Sequence, residues 1–294
     1  MHFSGTVWRP PYEAASLLIQ ATAGCTHHAC KFCTLYDDLP FKFRMSPLSE
    51  VEEDLAEAKK YVRRVNRIFF VGANPFVLRA DKLKNLAQLA RKYYPDYQSL
   101  GCFGRITDIT PKSVEELQEL RALGYDGLTL GVETGDDEAL AFMNKGYTSR
   151  DIIEQCRKLE AADISYNFFY LTGIAGAGKG VESAQKTAAV FNQLHPMVID
   201  ASMLTIYKNS QLYREIQLGN WQEPGELEKL RELQALISAL SIKTRFATDG
   251  ASNLVQVRGY LPQDKELLVN GLERLLAEAD EKRLRDYRVH LKHL

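Results

Sequence analysis

The sequence predicts an α/β fold built on a parallel sheet. Three observations carry this. Short apolar runs alternate with helix-like segments, giving six strand–helix repeats. The loops that join them are short. The chain has 294 residues, 45% of them hydrophobic, which is enough for a barrel-sized core or two smaller ones. Such a sheet is either open and doubly wound or a barrel, complete or partial. Both put ligands at the carboxyl ends of the strands.

The elements follow in order. Ser16–Thr22 (SLLIQAT) is a short apolar strand, and a cysteine-rich loop follows it directly. Ser46 and Pro47 have the composition of a helix start, cap then first turn, ahead of EVEEDLAEAKKYV. Arg67–Val71 (RIFFV) is the second strand, ending in Gly72-Ala73-Asn74-Pro75, and DKLKNLAQLARKYY is the helix after it. Gln98–Phe103 is the third strand. Thr110 and Pro111 start a helix that stops at Gly124. Gly127–Val132 (GLTLGV) is the fourth strand, followed by a short helix over Asp136–Met143 and a longer one capped by Thr148. Ser165–Thr172 is the fifth strand, then a glycine-rich loop and a helix over residues 181–194. Val198–Tyr207 is the sixth. Beyond about residue 210 the pattern turns helical, with one further strand expected near Leu254–Arg258. The expected organisation is a lead-in over residues 1–14, a core over 15–210, and an extension over 211–294 that packs on the core.

Charge narrows the partners. The formal net charge is −1, so there is no electrostatic case for a broad nucleic-acid or membrane surface. The opening MHFSGTVWRPPYEA lacks a basic region followed by an apolar run, and no apolar run reaches membrane-spanning length. The expected compartment is the cytoplasm. Thiols are reduced there, and clustered cysteines bind metal or do chemistry more often than they form bridges.

Residues 24–33 read GCTHHACKFC. Three of the five cysteines, Cys25, Cys30 and Cys33, fall within nine positions. A structural zinc site usually draws two pairs of ligands from separate turns. Here one loop supplies three thiolates. His27 and His28 read as loop polars, Cys102 as a small core residue and Cys156 as helix packing. A [4Fe–4S] cluster normally takes four thiolates, and three would leave one iron open to a substrate or cofactor. Several other features fall at strand ends: Gly72-Ala73-Asn74, Gly104-Arg105, Glu133-Thr134-Gly135 and the Gly173–Gly180 loop. Arg105 at a strand end can hold an anionic part of a substrate or cofactor, the alternative being a surface pair with Asp108. Glu133 can accept from hydroxyls or an ammonium and Lys145 can pair with a carboxylate; the alternative is that both are solvated surface charges.

At these residues the sequence resembles the radical S-adenosylmethionine (SAM) enzymes. Their usual signature is C-x3-C-x2-C after the first barrel strand; the spacing here is C-x4-C-x2-C, one residue longer. The resemblance covers residues 15–210. It is nearest to the branch of oxygen-independent coproporphyrinogen dehydrogenases with the Elp3/MiaB/NifB-like core. It implies a partial (β/α)6 TIM-like barrel with a mostly helical C-terminal extension. It implies a [4Fe–4S] cluster on Cys25, Cys30 and Cys33, with SAM on the fourth iron. Phe32 is then expected near the adenine. GVETGDDEALAFMNKG (131–146) is similar to the branch's segment after strand four, which assigns SAM contacts to Glu133 and Lys145. Gly72-Ala73-Asn74 stands where the family has Gly-Gly-Glu, whose carbonyls hold the SAM ammonium; only the first glycine matches. The glycine loop, with Gly173 and Gly176, is expected to approach the adenine.

A rival reading starts from the same loop. Gly173-Ile-Ala-Gly-Ala-Gly178-Lys179-Gly180 nearly matches the phosphate-binding G-x-x-x-x-G-K-[ST], but its last residue is glycine, so the hydroxyl that ligates Mg²⁺ is missing. A non-catalytic iron–sulfur carrier or metal sensor is a further alternative. The expectation is an enzyme that cleaves SAM reductively to a 5′-deoxyadenosyl radical, which takes hydrogen from a small organic substrate or a peptide. The electron would come from a flavodoxin- or ferredoxin-type donor.

Overall fold

The structure, a computed structural model, describes residues 1–291. The strands are β1 (Leu17–Gln20), β2 (Thr22–Gly24), β3 (Phe43–Met45), β4 (Arg67–Val71), β5 (Ser99–Gly104), β6 (Leu128–Glu133), β7 (Tyr166–Thr172), β8 (Val198–Met203), β9 (Thr244–Ala247) and β10 (Arg258–Leu261). The helices are α1 (Leu48–Tyr61), α2 (Ala80–Tyr93), α3 (Ile106–Ile109), α4 (Val114–Ala122), α5 (Asp137–Phe142), α6 (Ser149–Ala161), α7 (Gly180–Phe191), α8 (Gln211–Gln217), α9 (Glu226–Ala239), α10 (Lys265–Glu278) and α11 (Glu281–Val289). Eight strands form one sheet in the order β1-β4-β5-β6-β7-β8-β9-β10. Its first six members follow chain order, as the alternation of strands and helices requires. No helix among the described residues is long and apolar enough to cross a membrane.

Contacts divide the chain into two compact units interleaved along the sequence. One holds residues 1–28, 35–131 and 155–166; the other holds 29–34, 132–154 and 167 onward. The lead-in, core and extension are thus divisions of chain order, and the compact units follow other lines.

In the first unit β1, β4 and β5 pair in parallel, Leu18 beside Phe69 and Phe69 beside Gly101. Alternate strand residues point to one face, and Ile68, Phe70, Leu100 and Cys102 are fully buried. At the starts of the strands Arg67 is held by the Glu13 carboxylate at 2.7 Å and donates to Ser99 Oγ and to the Asp126 and Gly127 carbonyls. The small β2–β3 ribbon is antiparallel, Thr22 against Met45.

In the second unit β7, β8 and β9 are parallel, and β10 closes the edge antiparallel to β9. Helix α9 carries buried charge. Lys229 Nζ contacts Glu223 at 2.8 Å and Glu226 at 3.3 Å, and Arg285 and Arg288 of α11 reach Glu226 at 2.9 and 3.2 Å.

Four expectations change. Beyond the six strand–helix repeats the sequence placed one further strand near Leu254–Arg258; the sheet gains two, Thr244–Ala247 and Arg258–Leu261. The segment before Arg258 is a loop, since Thr248 Oγ1 donates to the Val255 carbonyl and accepts from Val257 N–H. Ser46 does not cap α1: its N–H donates to the Ala21 carbonyl, and the helix starts beyond Pro47. Thr110 does not cap α4. Ser113 does, in a reciprocal box with Glu116, while Thr110 ends the short α3.

Candidate functional site

The cysteine loop leaves β2 and returns at β3. Cys25 N–H donates to the Lys42 carbonyl at 2.9 Å, which ties the entry strand to the exit. Thr26, the next residue, is fixed by Asn74, whose Nδ2 donates to Thr26 Oγ1 at 2.8 Å and to Asp108 at 3.1 Å. Asp108 in turn accepts from Arg105 N–H at 2.8 Å. Asn74 and Asp108 are buried, and desolvation raises the Asp108 carboxyl above its ordinary range. Gly72 has φ +132°, and a Cβ there would lie 2.1 Å from Thr22 Oγ1, so only glycine allows β4 this close approach. The Asn74 carbonyl accepts from Val77 N–H at 3.0 Å. Gly72 and Asn74 therefore have work inside the protein that the sequence did not reveal: they shape the start of the cysteine loop. Arg105 is half-buried, with Nη1 donating to Thr107 Oγ1 at 3.1 Å.

In the second unit, residues 29–34 are held from several sides. Asn144 Nδ2 donates to the Ala29 carbonyl at 3.0 Å. Lys31 N–H donates to the Met143 carbonyl at 3.1 Å, and the Lys31 carbonyl accepts from Leu212 N–H at 2.7 Å. Cys33 N–H donates to the Cys30 carbonyl at 3.1 Å, closing a turn. No disulfide links any of the five cysteines, and Cys25, Cys30 and Cys33 are half-buried. Cys102 and Cys156 are fully buried, and burial pushes both thiols up. They are core residues, as the sequence suggested. His28 Nε2 contacts Asp37 at 2.9 Å, which marks it as a loop residue. Among the described residues no three His, Cys, Asp or Glu side chains converge as ligands of a single ion would. A cluster spreads its thiolates over separate irons and does not ask for that convergence.

Glu133 ends β6 and takes φ +67°, a left-handed conformation that costs a non-glycine residue about 1 kcal/mol or more. Its Oε1 lies 3.1 Å from Lys145 Nζ, and the two side chains are only 13% and 5% exposed. Lys145 Nζ also lies 5.7 Å from the Phe32 ring centre and 5.5 Å from that of Tyr147, within cation–π range. Three sequence-predicted residues, Phe32, Glu133 and Lys145, thus come together. Phe32 packs on an apolar cluster that includes Met143, Ile174, Leu204 and Trp221. Sequence reading missed the residues that seat the Glu133 turn: Gly135 N–H donates to Thr187 Oγ1 at 2.8 Å, and Thr134 Oγ1 meets the same hydroxyl at 3.0 Å. The signal was two hydroxyl side chains, Ser183 and Thr187, one turn apart on the buried stripe of α7.

The amides of the glycine loop are already engaged within the chain. Gly173 N–H donates to the fully buried Glu232 at 2.8 Å and Gly178 N–H to Glu228. Gly176 and Lys179 N–H bond to carbonyls within the loop, and Ala177 N–H bonds to Gln222. Gly176 has φ +89° and would press a Cβ within 2.8 Å of Trp221 Nε1. A phosphate cradle needs those amides unspent. Here two of them are taken by Glu232 and Glu228, which counts against the nucleotide-hydrolase reading.

The family model for the Radical SAM superfamily matches residues 19–182, more than half of the chain. The chain belongs to the Radical SAM superfamily. It is 27% identical over 164 residues to a tRNA-2-methylthio-N(6)-dimethylallyladenosine synthase of Syntrophus aciditrophicus, covering 53% of this chain and 34% of that protein. It is 22% identical over 223 residues to the heme chaperone HemW of Bacillus subtilis, covering 72% and 57%. The chain thus spans about a third to under three fifths of these relatives. Among solved structures, coproporphyrinogen III oxidase (HemN) of Escherichia coli superposes with TM-score 0.57 at 20% identity, over 76% of this chain and 51% of that one. Methylornithine synthase (PylB) superposes with TM-score 0.53 at 15% identity, over 93% and 85%. At these identities the structures speak for the fold, the partial TIM-like barrel of radical SAM enzymes. The cofactors of this superfamily are a [4Fe–4S] cluster and SAM.

Proposed function

We propose that Cys25, Cys30 and Cys33 hold three irons of the cluster and that the Glu133–Lys145 pair receives the polar end of SAM. Held there, a [4Fe–4S] cluster and SAM would supply the radical chemistry for hydrogen abstraction from a substrate. The rest is the work of the chain. The β2–β3 ribbon carries Cys25 at its end, and backbone bonds hold Lys31 between Cys30 and Cys33. Lys145 offers a cation to a carboxylate, Glu133 an acceptor to hydroxyls or an ammonium, and Phe32 an apolar surface to a purine. Arg105 serves an anionic group on substrate or cofactor. The glycine loop, with Gly173 and Gly176, lies toward the adenine and is braced from behind by Trp221 and Glu232. The substrate is a small organic molecule, the electron donor is of the flavodoxin or ferredoxin type, and the compartment is the cytoplasm.

The observation that carries this reading is the left-handed Glu133, its side chain 13% exposed, paired with Lys145 beside Phe32, one residue from Cys33. An iron carrier has no use for such a pair. The test is anaerobic reconstitution with iron and sulfide, then dithionite and SAM, with 5′-deoxyadenosine measured by chromatography. Wild type yields product and Cys30→Ala does not. Product from both, or from neither while wild type holds its cluster, sinks the assignment.

A further inference from the structure

Lys31 lies between Cys30 and Cys33, and its contacts set it apart from the rest of the loop. Its backbone is bonded in both directions, to the Met143 carbonyl and to Leu212 N–H. Its ammonium lies 2.8 Å from Glu215 Oε1 and 4.1 Å from the Phe142 ring centre. Both partners of the ion pair are largely buried, at 18% and 15% exposure. The other Glu215 oxygen accepts from Asn220 Nδ2 at 2.8 Å, which fixes the carboxylate in place. Lys31 and Asn220 together hold the Glu215 carboxyl below its usual range. Leu212 and Glu215 both belong to α8, which lies beyond residues 19–182, the part that matches the family.

We propose that α8 is a clamp on the cluster-binding loop and that Glu215, acting through Lys31, is a positioning residue that sets both the hold on the cluster and its reduction potential. The inference rests on the assignment of Cys30 and Cys33 as ligands. A cation within two residues of two ligating thiolates favours the reduced, more negative cluster. Glu215 cancels that cation. Without the carboxylate the net charge beside the cluster rises by one and the potential rises. Without the ammonium the net charge falls by one and the potential falls. A merely structural contact would move both variants the same way.

The experiment uses the full chain, reconstituted anaerobically, in four forms: wild type, Glu215→Gln, Lys31→Met, and the exchanged pair Lys31→Glu with Glu215→Lys. The midpoint potential is read by dye-mediated titration with electron paramagnetic resonance. Glu215→Gln shifts upward and Lys31→Met downward from wild type, while the exchanged pair returns toward it. Iron release to a ferrous chelator is about tenfold faster in each single variant, as expected for loss of a residue that orients ligands. Shifts of the same sign, or no shift, overturn the electrostatic role. Hydrogen exchange on the cluster-free chain is read in parallel. The Lys31 and Leu212 amides exchange slowly in wild type and about tenfold faster in Glu215→Gln. Equal exchange overturns the clamp. Clamped amides in a wild type that takes up no cluster would instead reject the ligand assignment, so the two failures are distinct.

Discussion

Lys145 is worth more to Glu133 than either is to solvent. A carboxylate at 13% exposure in a strained backbone is tolerated because a cation lies 3.1 Å away. Lys145→Met is expected to lower stability by about 3 kcal/mol, since it strands a largely buried charge, and to weaken SAM binding. Adding Glu133→Gln to Lys145→Met should restore most of the stability and none of the affinity. Urea denaturation and SAM titration read the two effects separately; recovery of affinity in the double variant would overturn the role given to the pair. Both residues stood out in the sequence, Glu133 at a strand end and Lys145 twelve positions on. Their pairing did not, because twelve residues of separation do not say which acid meets which base. Asn74 shows another limit. Its type suited an acceptor for a ligand, and nothing in the sequence signalled that its side chain also binds Thr26 and Asp108, partners 48 and 34 residues away.

At the scale of elements, the strands were legible because they are apolar and bounded by turn residues. The four-residue β9 and β10 were not, since TRFA and RGYL carry too few positions to show a period. The α4 cap was legible in Ser113-x-x-Glu116 and was misread because Thr110-Pro111 offered a competing start. Helix α9 holds a less visible device. Glu232 sits on its buried stripe and accepts from Tyr170 O–H at 2.5 Å as well as from Gly173 N–H. Burial pushes its carboxyl from 4.5 up to about 8. Between those values the folded chain holds a proton that the unfolded chain has released, so stability falls as pH rises through that window. Asp200, pushed from 3.8 to about 7 by burial on β8, acts in the same direction. Glu232→Gln is expected to flatten the decline between pH 5 and 8 in denaturant midpoints. An unchanged slope would show that Glu232 is ionised in the folded state.

For the whole molecule, a formal charge of −1 conceals strong local pairing. Glu223, Glu226, Lys229, Arg285 and Arg288 bring the segment before α9, α9 itself and α11 together, and Arg288 also donates to the Leu204 carbonyl just beyond β8. Composition counts these charges and cannot pair them, which is why the C-terminal segments read only as helices. Arg288→Met is expected to cost about 2 kcal/mol, the scale of a lost charged hydrogen bond in a buried setting. The urea midpoint should fall with an unchanged slope. A loss under 0.5 kcal/mol would mean that Lys229 and Arg285 suffice for Glu226.

The engaged amides of the glycine loop also bear on selectivity. SAM and ATP share an adenosine end and differ in what hangs from it, a cation-bearing amino acid or a chain of phosphates. Amides given over to Glu228 and Glu232 have nothing to offer phosphates, and the Glu228 carboxylate repels them. The chain should thus discriminate between the two nucleosides by charge rather than by fit. A large excess of ATP is expected to leave 5′-deoxyadenosine formation unchanged, whereas S-adenosylhomocysteine, which keeps the amino acid, should compete. Competition by ATP would mean that the loop frees its amides from Glu228 and Glu232.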